Sequence, residues 1–287
     1  MDNRTRDLLL AAALGAGGLA CATYDSELTA PGYQVEIVAT GLAFPDGLAH
    51  APDGALLVTE EYRGGGVVRI DLASGFQTHM VRDLADPDNI IVLGDDIYVT
   101  EEDIQGRIVK IDATGEVTAF ASALANPEGL DLGPDGHLYV AEHATAGHVY
   151  RFAMDGSRET FAPVTNGEGI RCLPGGSVVV AETSHDRVVR IDPDGRRVRI
   201  TDESMTAPDG LAYDPARDRV LVTEDASPGR LLAVDLATGA MSVIADGMDA
   251  PQTMLIEPDG TILVAEQGAS RIVRLRPDPV AQEGQLR

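Results

Sequence analysis

Two sets of side chains recur along the chain at fixed positions of a repeated motif. The first is Asp46, Asp88, Glu128, Glu168, Asp209 and Gln252. Each follows a proline or glycine and opens a short apolar stretch, as in Pro45-Asp46-Gly47-Leu48, Gly167-Glu168-Gly169-Ile170 and Pro208-Asp209-Gly210-Leu211. The second is Glu60, Glu101, Glu142, Glu182, Glu224 and Glu266, spaced by 41, 41, 40, 42 and 42 residues. Each ends an aliphatic run of the form Val-Thr-Glu or Val-Ala-Glu. Carboxylates of the first set, brought to roughly 6–8 Å at an effective dielectric near 20, would repel by about 2–3 kcal/mol per pair. Such a cluster takes up protons at raised pKa or binds a cation. Oxygen donors in number suit calcium, or magnesium, over zinc or copper, and neither set contains a histidine. The second set is expected to be structural, accepting from backbone N–H groups or from arginines such as Arg69, Arg151, Arg190 and Arg274.

What must position these residues is a unit of about forty residues present six times. Each unit opens on the first set, turns at a sequence such as Pro52-Asp53-Gly54 or Pro134-Asp135-Gly136, and runs through a second strand to its glutamate. A third strand follows, such as Val67-Val68-Arg69-Ile70, then a glycine-containing turn and a fourth strand. Four short antiparallel strands cannot bury both faces alone, but six such sheets packed radially can. The sequence therefore predicts an all-β, six-bladed β-propeller over residues 33–278. The sixth unit ends after Ile272-Val273-Arg274-Leu275 without an outer strand, and the stretch 35–42 resembles 242–248. An N-terminal strand is thus expected to complete the last blade and remove a free edge. The innermost strand of a blade begins, and the second ends, on the same face of the disc. Both sets, and His143 directly after Glu142, are predicted at one mouth of the central tunnel.

The net charge of −24 argues against nucleic acid and anionic membrane surfaces as partners. Cys21 and Cys172 form neither a disulfide framework nor a zinc cluster by spacing, and Cys172 reads as an inert strand thiol. Arg4 and Arg6 precede an apolar run over 8–20 that small residues lead into Cys21. Residues 1–24 are therefore expected to be a signal peptide or lipoprotein-type export segment, with a lipid anchor at Cys21 in the second case. That implies a periplasmic or secreted protein, or a cytoplasmic one if the segment is not a signal. The run is too short and glycine-rich for a transmembrane helix. Residues 279–287 form a polar tail, and a closed propeller is expected to be a monomer.

The blade signature, Pro-Asp-Gly-Leu followed by Pro-Asp-Gly-x-Leu-x-Val-x-Glu and Arg-Ile-Asp-x-x-x-Gly, resembles the gluconolactonase and senescence-marker-protein (regucalcin) superfamily, with NHL-repeat-like blades. The resemblance covers residues 33–275. It implies a calcium ion in the tunnel and hydrolysis of a lactone or other small ester. By position it implicates Asp46, Glu128, Glu168 and Asp209 as metal ligands, with Asp88, Gln252 and His143 as further tunnel residues. Asp209 or Glu168 would be the general base. The same signature is shared with propellers that only bind a ligand or a protein. It is shared too with virginiamycin B lyase-like propellers, whose histidines have no counterpart at those positions here, and in its first unit with quinoprotein sugar dehydrogenases. Fold is specified more tightly than activity.

Overall fold

The computed structural model describes residues 28–201 and 205–279. The export segment with Cys21, and residues 280–287 of the polar tail, lie outside the described residues. Apart from one short 3-10 turn at Thr183–His185, the regular structure is strand throughout. The strands form six four-stranded antiparallel sheets. Blade I runs outward from the axis as Pro45–His50, Leu56–Glu60, Arg63–Ile70 and Gln77–Ala85. The innermost strands of blades II to VI are Pro87–Leu93, Pro127–Leu132, Gly167–Cys172, Pro208–Asp214 and Pro251–Ile256. Blade VI is completed by the N-terminal strand Tyr33–Thr40, antiparallel to Arg271–Pro277, with Tyr33 opposite Pro277 and Thr40 opposite Arg271. The ring closes as the sequence predicts, through hydrogen bonds between the two ends of the chain.

Six apolar clusters hold the described residues together, one at each junction between neighbouring blades. Leu48, Leu56 and Val68 of blade I, for example, pack on Leu263, Ala265 and Ile272 of blade VI, and Leu57, Val67 and Val81 pack on Ile97, Val99 and Val109 of blade II. Each blade buries both faces only because it has two neighbours. Cys172 is half-buried, and burial pushes its thiol up, so it holds its proton at neutral pH. Among the described residues no helix is long and apolar enough to cross a membrane.

Two local features aim the first set at the axis. Every innermost strand begins with a bulge. Pro45 lies opposite Glu60 and Leu48 opposite Val58, so Asp46 and Gly47 share a single partner residue. The same slip separates Pro87 from Ile90, Pro127 from Leu130, Gly167 from Ile170, Pro208 from Leu211 and Pro251 from Met254. A bulge re-aims a side chain out of the regular alternation. The second feature is the glycine that follows the acid in four of the blades, Gly47, Gly129, Gly169 and Gly210. A Cβ on Gly47 would lie 2.5 Å from the Asp88 carbonyl oxygen, and one on Gly169 would lie 2.2 Å from that of Asp209. Glycine here lets neighbouring innermost strands approach more closely than any side chain permits.

Candidate functional site

The bulged starts of the six innermost strands surround a cavity of about 230 Å³ at one mouth of the tunnel. All the residues singled out from the sequence reach it: Asp46, Asp88, Glu128, Glu168, Asp209, Gln252 and His143. Four more line it that the repeat pattern does not assign: Glu61, Glu102, Asp225 and Gln267. Each directly follows a second-set glutamate, at the place His143 occupies in blade III and Thr183 in blade IV. The readable signal is that this position is polar in every unit. The cavity thus gathers eight carboxylates, two amides and one imidazole, with no lysine or arginine among its lining residues. The far halves of the same strands line a larger cavity of about 450 Å³, walled largely by aliphatic side chains such as Leu48, Ile90 and Met254.

Few donors offset the acids. Gln267 Nε2 donates to Glu61 Oε2 at 2.6 Å, and Thr253 Oγ1 donates to Asp46 Oδ1 at 3.4 Å. Asn126 Nδ2 donates to Glu102 Oε1 at 3.3 Å. His143 stands between two acids, with Nδ1 2.6 Å from Glu128 Oε1 and Nε2 3.7 Å from Glu168 Oε1. Although neither repeated set contains a histidine, the site therefore does. Two groups bring their ligand atoms within 4.8 Å of one another: Asp46 with Glu61 and Asp88, and Glu102 with Glu128 and His143.

Crowding and burial shift the titrations in one direction. Burial, then the charge of Glu168, pushes Asp46 up to about 7. Burial and the charge of Asp46 push Glu61 up to about 9. Burial takes Glu168 to about 8 against the hydrogen bond from Thr183. Asp88, Glu128 and Asp209 are held well above the ordinary carboxylate range by burial and then by their neighbours' charges. Glu102 and Asp225 rise chiefly through burial, and burial lowers His143. A ring of this kind relieves its repulsion by keeping protons or by binding a cation. Its donor set is dominated by carboxylate oxygens and fits a hard divalent ion of the calcium or magnesium type.

The second set does something different. Glu60, Glu101, Glu142, Glu182, Glu224 and Glu266 turn away from the cavity and are buried. One oxygen of each accepts the backbone N–H of Ala43, Ala85, Ala125, Thr165, Thr206 or Asp249, at 2.7–3.1 Å. Five of those residues lie in the loops that lead into the innermost strands, and Ala85 ends the outer strand before blade II, so the glutamates fix the approach to the ring. The arginine partners differ from those expected. Glu101 pairs with Arg107, Glu182 with Arg187 and Arg197, Glu224 with Arg230, and Glu266 with Arg271. Arg69, Arg151 and Arg190 serve the opposite turns instead, on Asp53, Asp135 and Asp192, and Arg274 serves the closing strand through Glu36. The reason is register: the glutamate that ends the second strand faces the start of the third, where Arg107, Arg187 and Arg271 stand directly opposite it.

With this geometry in view, the chain can be set beside known proteins. The model of the virginiamycin B lyase family matches residues 33–287. The adipocyte plasma membrane-associated protein of Rattus norvegicus is 24% identical over 205 residues, 66% of this chain and 49% of that protein. The chain spans about half the length of that relative. A solved gluconolactonase from Xanthomonas campestris superposes with a TM-score of 0.74 at 14% identity, covering 85% of this chain and 89% of that one. The virginiamycin B lyase of Staphylococcus aureus gives 0.62 at 17% identity, covering 86% and 85%. The PQQ-bound aldose sugar dehydrogenase of Streptomyces coelicolor gives 0.68 at 18%, covering 86% and 99%. At these identities the solved structures share the six-bladed fold and carry no activity across.

Proposed function

The chain belongs to the virginiamycin B lyase family, and we propose that it is a divalent-cation-dependent enzyme that opens a lactone or other small ester at the acidic tunnel mouth. The observation that carries this reading is the ring of eight carboxylates around one small cavity that no lysine or arginine lines. Asp46, Glu128, Glu168 and Asp209, with Asp88 beside them, would hold calcium or magnesium, which when bound supplies Lewis acidity toward an ester carbonyl. The chain's own residues do the rest. The bulges and the close-packed glycines fix the carboxylates before any ligand arrives, so little reorganisation is required. Glu168 and Asp209 are the bases, both removed from water and both adjacent to further acids that raise their proton affinity. In the hydrolytic reading one of them takes a proton from the attacking water.

A second reading of the same site is elimination, in which the ester opens without water. Family membership favours it, as does the position of His143 between Glu128 and Glu168, where an imidazole could take a carbon-bound proton of the substrate. Product mass separates the two. Hydrolysis gives a product one water heavier than the lactone, and elimination gives an isomer of unchanged mass. The purified protein is offered a panel of lactones and aryl esters with calcium, with magnesium and with chelator. Turnover that chelator abolishes, and that Asp209→Asn removes while the fold is retained, supports the proposal. A protein that turns over none of them, or turns them over equally well in chelator, defeats it.

A further inference from the structure

The far cavity, of about 450 Å³, is lined by residues of all six innermost strands, and none of them also lines the acidic mouth. Its makeup follows one strand position, the third residue after the first-set member: Ala49, Ile91, Asp131, Arg171, Ala212 and Leu255. Four blades carry an aliphatic side chain there. The neighbouring blades III and IV carry opposite charges instead.

The polar groups at this end are committed elsewhere, with one exception. His50 Nε2 lies 2.5 Å from Glu257 Oε1. The Tyr213 hydroxyl donates to Asp218 Oδ1 at 3.0 Å. Asp131, the only carboxylate lining the cavity, accepts the Cys172 N–H through Oδ2 at 2.7 Å. Arg171 is the exception. Its side chain is only 15% exposed, and its ion-pair partner Asp131 Oδ1 is 3.7 Å away, beyond hydrogen-bond reach. Among the described residues its one hydrogen bond runs from a terminal nitrogen to the Ile170 carbonyl at 3.3 Å. A guanidinium carries five N–H donors, so most of those of Arg171 have no protein acceptor. Free donors on a fixed positive charge, set in an aliphatic wall, suit an amphipathic anion. The acids of the first set do not compete at close range, because they lie three residues back along the strands, roughly 10 Å away at about 3.3 Å per residue.

We propose that the far end of the tunnel is a second binding site, which takes a carboxylate with an aliphatic body of the medium-chain fatty acid type. The carboxylate pairs with Arg171, and the chain is removed from water against Ile91, Met254 and Leu255. The site is separate from the acidic ring and does not depend on what that ring catalyses.

Titration calorimetry with sodium octanoate, sodium hexanoate and 1-octanol tests this, in chelator so that no ring-bound cation engages the carboxylate. Wild type is expected to bind octanoate about tenfold more tightly than hexanoate, since each buried methylene contributes about three- to fourfold. Arg171→Met keeps an unbranched side chain and removes the charge. It is expected to weaken octanoate by at least about tenfold while leaving 1-octanol unchanged. Asp209→Asn, at the other mouth, is expected to bind octanoate as wild type does. Position is read separately at Cys172, which lines the cavity: saturating octanoate is expected to suppress its modification by methyl methanethiosulfonate, followed by peptide mass. That protection is measured on wild type, so it decides the matter even where Arg171→Met fails to fold. Octanoate that does not bind, that leaves the Cys172 rate unchanged, or that binds folded Arg171→Met as tightly as wild type overturns the proposal. So does a loss of octanoate binding in Asp209→Asn, which would put the ligand at the acidic ring.

Discussion

Gly169→Ala sets a methyl group against the backbone of the next blade. The added Cβ lies 2.2 Å from the carbonyl oxygen of Asp209, 3.0 Å from the Leu211 nitrogen and 3.2 Å from the Asp209 carbonyl carbon. None of these atoms can swing aside, because all belong to the bulged start of a buried innermost strand. Restoring contact distance requires that strand to move by roughly 1 Å, and a closed ring passes the displacement to every neighbour. Overpacking of this kind costs about 1–3 kcal/mol, toward the upper end where only backbone can yield. The restricted unfolded chain returns about 0.4–1 kcal/mol. The net loss is about 2 kcal/mol, a fall of about 1 M in urea midpoint at a slope near 2 kcal/mol/M. Gly169 also separates Glu168 from Ile170 and packs on the strand that carries Asp209, so calcium affinity falls with stability. Urea titration followed by circular dichroism, with calcium titration calorimetry on the same variant, measures both. The control is Gly175→Ala, whose Cβ meets nothing within 4 Å, and which is expected to be neutral. A Gly169→Ala protein as stable as that control, with wild-type calcium affinity, would refute the close-packing account of the ring.

Other expectations follow from the charges. In chelator, stability falls as pH rises. Asp46, Glu168 and Glu61 carry values of about 7, 8 and 9 in the folded ring against ordinary values of 3.8, 4.5 and 4.5. The folded state then holds the extra protons. Their stabilisation is complete below the ordinary values and is lost as pH rises through 7 to 9. Melting curves from pH 5 to 9 check this, and a curve that is flat or rising in chelator contradicts it. Calcium should weaken the slope and, at pH 7 in lightly buffered solution, release about two protons per ion as the ring ionises; a release near zero counts against binding at the ring. Glu61→Gln, a residue outside both repeated sets, should cost calcium affinity at least about tenfold while leaving the melting curve in chelator no lower than that of wild type. Glu182→Gln should do the reverse. Although burial opposes its charge, the bonds from Arg187 and Thr165 hold this fully buried carboxyl below its ordinary range, so its loss should cost about 2 kcal/mol by denaturation, with KM little changed.

Much of this architecture is legible in the residues alone. The forty-residue period specifies six four-stranded blades because only radial packing covers both faces of each sheet. The missing outer strand after Leu275, together with the stray strand near residue 35, specifies the closure. The first set is readable as a ring because six equivalent strand starts in a closed disc must converge. Glu61, Glu102, Asp225 and Gln267 are harder to see. Strand alternation assigns the Val-x-Glu glutamate one orientation and its successor the other, and sequence alone does not say which of the two faces the axis. The structure decides it through the glutamate's hydrogen bond to the loop that precedes the innermost strand, a contact made 17 residues away. The arginine partners differ from expectation for a related reason: whether the start or the end of the third strand lies beside Glu182 depends on hairpin register.

The sequence by itself determined the blades, their number, their closure and the acid at the head of five of the six, because these rest on local pattern repeated until chance is excluded. Only the tertiary structure decided that Glu61, Glu102, Asp225 and Gln267 join the ring in one small cavity that no lysine or arginine lines, and that His143 stands between Glu128 and Glu168 there. Those properties belong to distances between units forty or more residues apart. They are set by glycine-permitted backbone contacts and by ring closure, which no single unit encodes.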